Sequence, residues 1–306
     1  MLNLKEYIKE SILDDEEVVF DNVGIKLEIE KFIEDNYNCQ QFTISNKPNK
    51  DGKFVIDGNN IVIANKNITS LTNNLFIWGE VKGDFNCSNC SSLTTLEGAP
   101  KEVSRSFYCH GCSSLKSLEK APEKIGNSFN CSYCFSLNSL EGAPKEVDWS
   151  FDCSHCNSLT SLKGAPNKLR GSFHCSYCDS LTSLKGAPEE VGDSFNCSYC
   201  SHLKSLEDAP KKVDWVFNCS YCNSLTSLKG APEKTGDSFN CSYCNSLTSL
   251  KGAPKEVRGN FRCVDCSSLT SLEGAPKKVN GTFFSIGNKF SIEDIKKVVK
   301  ANRINI

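Results

Sequence analysis

The sequence predicts a mainly β solenoid: about ten stacked coils of 22 residues, with a small α/β cap at the N-terminus and a capping helix at the C-terminus. Three observations carry this expectation. Phenylalanine recurs at Phe85, Phe107, Phe129, Phe151, Phe173, Phe195, Phe217, Phe239, Phe261 and Phe283, always 22 residues apart. Nine of these units hold cysteines at +2 and +5 from Phe and leucines at +8 and +11. The same nine pass through Ala-Pro at +14 and +15, and most then place Val at +18. A fixed period of this length marks stacked units, each contacting only its neighbours.

Energetics point the same way. Ordering one coil costs about 1.5 kcal/mol for each residue. Its six or so apolar side chains each return about 1.5–3 kcal/mol when fully buried. A lone coil is therefore unstable, and only a stack covers enough surface. Within the coil, Phe-x-Cys reads as a short strand, with Phe and Cys inward and Ser, Asn or Asp outward. Gly-Ala-Pro reads as a turn, because Pro lacks a backbone donor and Gly accepts unusual dihedrals. Ser-Leu-x-Ser-Leu fits either a second short strand or a tight helical turn.

Phe-x-Cys-x-x-Cys-x-x-Leu resembles the core of leucine-rich repeats, in the variety where Cys takes the place of the ladder Asn. The Cys-x-Ser-Leu-Thr-Ser-Leu stretch is similar to the bacterial surface-antigen type of these repeats. In the last coil the cysteine pair becomes Ser285 and Asn288, and Asn is the residue that family uses for its ladder. The spacing of four from Val to the next Phe departs from the family's usual three, which leaves a generic β-solenoid open. The near-verbatim copying, with LKEYIKESILDDEE at the start and NKNITSLTNNLF leading in, is also similar to uncharacterised repeat proteins of tailed phages of gut bacteria. The resemblance implies an interaction surface and names no activity.

The ends read as caps. Residues 1–62 form an N-terminal helical and hairpin cap, 63–290 the solenoid, and 291–306 a capping helix. Leu4, Tyr7, Ile8 and Ile12 have helical spacing, as do Ile25, Ile29, Phe32 and Ile33 over 24–36. Phe54-Val55-Ile56 and Ile61-Val62-Ile63, around Asp57-Gly58-Asn59-Asn60, predict a hairpin. Ile63 and Leu71 precede Phe85 and Leu93 by 22, so a degenerate coil is expected to start there. Ser291 with Asp294 predicts a capping box, followed by a helix with Ile292, Ile295, Val298 and Val299 on one side.

Net charge is −2 with both signs interspersed, so no basic field invites nucleic acid. No run of 18 apolar residues predicts a membrane span. The acidic, amphipathic start is unlike a signal peptide, which implies a reducing cytoplasm, or a host cytoplasm or virion for a phage-encoded chain.

The abnormal figure is 19 cysteines, of which 18 lie in the repeats and Cys39 outside. The core reading makes a ladder of Cys131, Cys134, Cys153, Cys156, Cys175, Cys178, Cys197, Cys200, Cys219, Cys222, Cys241, Cys244 and Asn288, all reduced and buried. Cys87/Cys90 with Cys109/Cys112 also fits a zinc-ribbon spacing, which gives a multi-zinc module as the alternative. Nine identical pairs, however, offer no basis for choosing partners, and each Cys keeps a fixed step from Phe and Leu as a small core hydrophobe does. No cofactor is expected.

Catalysis has little support. His110, His155, His174 and His202 occupy four different repeat positions, and no nucleophile motif or phosphate-binding loop is present. The expected role is a non-enzymatic protein–protein interaction or scaffold. An N-terminal effector segment targeted by the repeats is a further alternative. Variable positions should face a protein partner, and they hold aromatics in the middle coils. The candidate surface is Trp149, Tyr177, His174, Tyr199, Trp215, Tyr221 and Tyr243. The competing reading is that the tyrosines at +4 merely stack.

Overall fold

The computed structural model describes residues 15–39 and 41–306. The helical pattern of Leu4, Tyr7, Ile8 and Ile12 lies outside these residues. The chain is a β-solenoid of about 11 turns with 22-residue spacing. Each regular coil contributes two strands of two residues, as in Glu146–Val147 and Phe151–Asp152. Phe151 lies in parallel register with Phe129 below and Phe173 above. Along this Phe face the backbone donates forward: Phe151 N to Ser172 O at 2.9 Å, Cys153 N to His174 O at 2.8 Å and His155 N to Ser176 O at 2.8 Å. The Val strands also stack in parallel, with Glu146 opposite Lys124, and there the donors point back, as from Gly192 N to Leu169 O at 2.9 Å. This second ladder is interrupted between Glu146–Val147 and Lys168–Leu169, which lie in different sheets.

The core is a set of columns. The repeat Phe, Cys and Leu side chains are buried, and consecutive Phe rings from Phe85 to Phe283 stack at 5.1–5.6 Å. Ser-Leu-x-Ser-Leu is neither strand nor helix. Two turns bracket it, Leu159 N donating to Cys156 O and Ala165 N to Leu162 O, both at 3.0 Å. The coil's second strand is instead the Lys/Glu–Val pair. The serines at +3 are also not outward. Ser88, Ser132 and Ser198 are buried between coils, where their backbone donors meet Asn86, Asn130 and Asn196 side-chain oxygens at 2.9–3.0 Å.

The Gly of Gly-Ala-Pro has a positive φ, +99° at Gly164, and a Cβ there would lie 2.3 Å from the Leu140 oxygen of the coil below. Lys120 and Asp208 hold this same position at φ 68° and 66°.

The N-terminal cap departs from expectation in three ways. One helix, α1 (Asp15–Asn36), runs through the acidic stretch that was expected to precede a separate helix at 24–36, because Glu is a good helix former. Two unpredicted strands follow, β1 (Tyr37–Cys39) and β2 (Phe42–Ile44). The predicted hairpin does not form. β3 (Phe54–Gly58) pairs with β2 and β5 (Phe76–Val81), and β4 (Ile61–Ile63) pairs with β1 and the Phe85 strand. Asn59–Asn60 is thus a coil corner, and its flanking strands belong to different faces of one coil. Parallel stacking already begins with Phe54 opposite Phe76, and Ile61 rather than Ile63 faces Phe85.

At the other end the Ser291/Asp294 capping box is present and starts α2 (Ile292–Val298). Only Ile295 and Val299 are buried; Ile292 and Val298 are exposed. The helix is short because the chain then adds one more strand, Lys300–Asn305, parallel to Lys278–Phe284. This strand repeats both faces of a coil, at the 22-residue step for Lys300 and Ala301 and, after a register shift, at 21 residues for Arg303 to Asn305. No Phe or Cys marks it in the sequence.

Candidate interaction surface

Inside the stack the two cysteines of a coil do different work. Each +5 thiol from Cys112 to Cys266 donates to the carbonyl oxygen of the +2 cysteine one coil below, at 3.2–3.3 Å. This satisfies a buried acceptor that would otherwise be orphaned. Asn288 takes over at the end of the ladder, its amide donating to the Cys263 carbonyl. Some +2 thiols reach the next coil's backbone instead, Cys153 to His174 O at 3.4 Å among them. Every cysteine is free, and only Cys39 is not fully buried. Burial pushes the Cys90 thiol up to about 11 and that of Cys266 to about 12. It drives Cys153, Cys175 and Cys219 well above the usual thiol range. Among the described residues, no three His, Cys, Asp or Glu side chains converge as metal ligands would.

The outer edge is built at +4, immediately after the Phe strand. Every residue there adopts the left-handed conformation: Asn89, Gly111, Tyr133, His155, Tyr177, Tyr199, Tyr221, Tyr243, Asp265 and Gly287 have φ between 49° and 71° or, at Gly287, 76°. Asn, Asp and Gly suit that geometry; tyrosine in it costs about 1–2 kcal/mol. The six middle rings offset this by stacking. From Tyr133 through His155 to Tyr243, centroids lie 4.2–4.4 Å apart with planes within 9°. Each aromatic contact contributes about 0.5–1.5 kcal/mol beyond burial, the same size as the backbone cost. The column is a structural ladder, and it also leaves Tyr133 and Tyr177 exposed at 46% and 39%.

The candidate residues do not form one stripe. Tyr177, Tyr199, Tyr221 and Tyr243 share the +4 column. Trp149 and Trp215 sit at −2, the corner before the Phe strand, 52% and 56% exposed. Their backbones stack regularly, Trp149 N on Asn127 O at 3.0 Å and Trp215 N on Asp193 O at 3.1 Å. Three coil steps of about 4.8 Å put them about 14 Å apart along the axis. His174, at +1, lies on the outward side of the strand between the two corners, half-buried. The surface is therefore a strand face bordered by tyrosines on one side and two tryptophans on the other. Phe135, at +6, was missed: it is 46% exposed and meets Tyr133 edge-on at 6.3 Å. Its signal was available, since Ser, Asn or Asp fills that position in the other regular coils.

A second outer column carries charge. On the Val strand, charges alternate in sign from coil to coil: Lys124 lies opposite Glu102 and Glu146, and Glu190 opposite Lys168 and Lys212, with no strand pairing between Glu146 and Lys168. Lys124–Glu146 and Lys168–Glu190 approach to 3.7 and 3.0 Å. The preceding position is in antiphase at Lys101, Glu123 and Lys145 and again at Glu233 and Lys255, but in phase at Glu189 and Lys211; Lys255 reaches Glu233 at 3.3 Å. The order breaks where Lys212 is followed by Lys234; Lys212 turns to Asp214 at 3.0 Å, and only Val213 and Thr235 stay in register there.

Comparison with protein-family models, with curated proteins and with solved structures gave no match to this chain.

Proposed function

We propose that this solenoid is a non-enzymatic scaffold that binds a protein partner across the strand face between the tyrosine column and the two tryptophans. The observation that carries this reading is the exposure of Trp149 and Trp215. Nothing in the coil's packing requires an indole at −2, because Gly171 and Asp193 occupy the same corner in the intervening coils. Large exposed aromatics are the side chains that most often anchor protein interfaces. A rigid, repetitive wall holds them at fixed spacing, so a partner meets them without an ordering cost. The thiol ladder ending in Asn288 supports likening the coil to a leucine-rich repeat, a fold used for protein recognition. Eighteen buried free thiols fit a reducing compartment, in which we place the protein.

The test is quantitative partner recovery from cell extract by the full chain and by the Trp149→Ala/Trp215→Ala variant, with Tyr199→Gly/Tyr221→Gly as a second variant. Loss of the same partner with both, at unchanged thermal stability for the tryptophan variant, supports the reading. Equal recovery by all three proteins overturns it.

A further inference from the structure

The two ends of the stack carry exposed apolar side chains set in fields of opposite charge. At the N-terminal end, α1 buries Ile29 and Ile33 and leaves Val23, Leu27, Glu30 and Glu34 exposed on a neighbouring flank of the helix. Those four recur at i, i+4, i+7 and i+11, a single helical stripe. Val23 and Leu27 are 53% and 60% exposed. Residues 15–36 hold eight carboxylates against two lysines.

At the C-terminal end, the groove between α2 and the terminal strand is lined by Lys277, Lys296, Lys297, Lys300 and Arg303, and by no carboxylate. Of these, Lys297 has an acid partner, Asp294 at 3.4 Å. Ile292, Val298 and Ile306 beside it are 41%, 46% and 49% exposed. The terminal strand pairs with Lys278–Phe284 on one edge, and its other edge has no strand partner among the described residues. Terminal units of a solenoid normally turn a polar outer face to solvent. Here both present apolar side chains ringed by charge, and an open strand edge favours association.

The charge order inside the stack sets the sign of what would fit. Coil boundaries mostly place lysine against an acid, but at the C-terminus Lys278 lies opposite Lys300 and Lys255 is followed one coil on by Lys277. The last described coil thus stacks cation on cation, and no carboxylate lines the groove beside it. The acidic stripe of α1 has the complementary sign and its own exposed apolar residues.

We propose that the two ends are halves of one head-to-tail interface, the outward stripe of α1 on one copy seating in the basic C-terminal groove of the next. Such a contact is heterologous and does not close on itself, so it extends a file of molecules along the solenoid axis.

Sedimentation equilibrium of the full chain tests this. In low salt the weight-average mass should rise above the 33.8 kDa monomer between about 1 and 100 µM, without a plateau at the dimer. About 0.5 M salt should return it towards monomer by screening the charges. Glu30→Lys/Glu34→Lys and Lys296→Glu/Lys300→Glu should each abolish self-association, and an equimolar mixture of the two should regain it. All four positions are exposed, so circular dichroism should match the unaltered chain. A monomer at every concentration, a limiting dimer, or charge-reversed variants that associate as the unaltered chain does would each overturn the proposal.

Discussion

Asn288 and Cys266 perform the same task one coil apart: the Asn288 amide donates to the Cys263 carbonyl, and the Cys266 thiol donates to the Cys241 carbonyl at 3.2 Å. The +5 position is therefore a donor position first and an apolar one second. A thiol satisfies both demands inside a stack, where the side chain must fit between identical neighbours and still reach a backbone acceptor.

This separates two cysteines of equal size and equal burial. Cys178→Ala removes the donor to Cys153 O and strands a buried carbonyl, at a cost of about 1–3 kcal/mol plus the lost packing. Cys175→Ala removes a thiol of the same volume that donates to no such acceptor, so only the packing loss applies. Urea unfolding of the two variants should place Cys178→Ala below Cys175→Ala in midpoint. Equal midpoints would remove the hydrogen-bonded ladder as a source of stability.

The buried thiols also set a pH limit. A thiol whose folded pKa is raised holds its proton in the folded chain and releases it in the unfolded one near pH 8.5. Stability is full below that value and falls as pH climbs towards the folded values of about 11 for Cys90 and about 12 for Cys266. Each fully shifted thiol contributes a slope of up to about 1.4 kcal/mol per pH unit. With many such groups in one cooperative stack, the melting temperature should drop steeply between about pH 8.5 and 11, at constant ionic strength under reducing conditions. A flat profile over that interval would show that the thiols are reached by solvent in the folded chain.

The left-handed backbone at Tyr199 (φ 59°) reverses a familiar order of substitutions. Alanine there loses the ring stacking and keeps the strained φ, whereas glycine loses the stacking and relieves the strain. Tyr199→Gly should be more stable than Tyr199→Ala by about 1 kcal/mol. Thermal denaturation of the pair measures it, and Tyr199→Ala as the more stable variant would contradict the strain.

Reversing one charge on the Val strand probes the alternation. Glu190→Lys would place three lysines in a row with Lys168 and Lys212. The cost should be about 0.5–1 kcal/mol, because these side chains are well exposed. Lys168→Glu in the same chain should recover part of it, and the coupling should shrink in high salt. A double-mutant cycle gives the value directly, and zero coupling in low salt would reduce the alternation to coincidence.

Much of this fold was legible because the repeat is nearly verbatim. The step from Phe151 to Phe173 fixed the stack, and the fixed place of Cys and Leu within each unit fixed the core. What escaped was whatever does not repeat as a side-chain pattern. The strand at Glu146–Val147 is too short to alternate, and it exists only because the coil at Lys124–Ile125 supplies its pairing. β4 was expected at Ile61–Ile63, but its register was read two residues late because Ile61 and Ile63 are equally apolar, and only the corner at Asn59–Asn60 decides which one meets Phe85. The terminal strand at Lys300–Asn305 carries neither Phe nor Cys. At the surface, the variable aromatic positions were visible in sequence, but their division between two corners was not. That division follows from the placing of −2 and +4 at opposite ends of one strand, a geometric fact about the coil rather than about any residue.

The sign order of the charged column gives the molecule a parity. Loss of a single coil between Glu102 and Lys212 would bring glutamate over glutamate or lysine over lysine, while loss or duplication of two neighbouring coils would leave every such pair matched. A gene of this kind changes length most cheaply in doublets, so close relatives of different size should differ from it by even numbers of coils across this stretch.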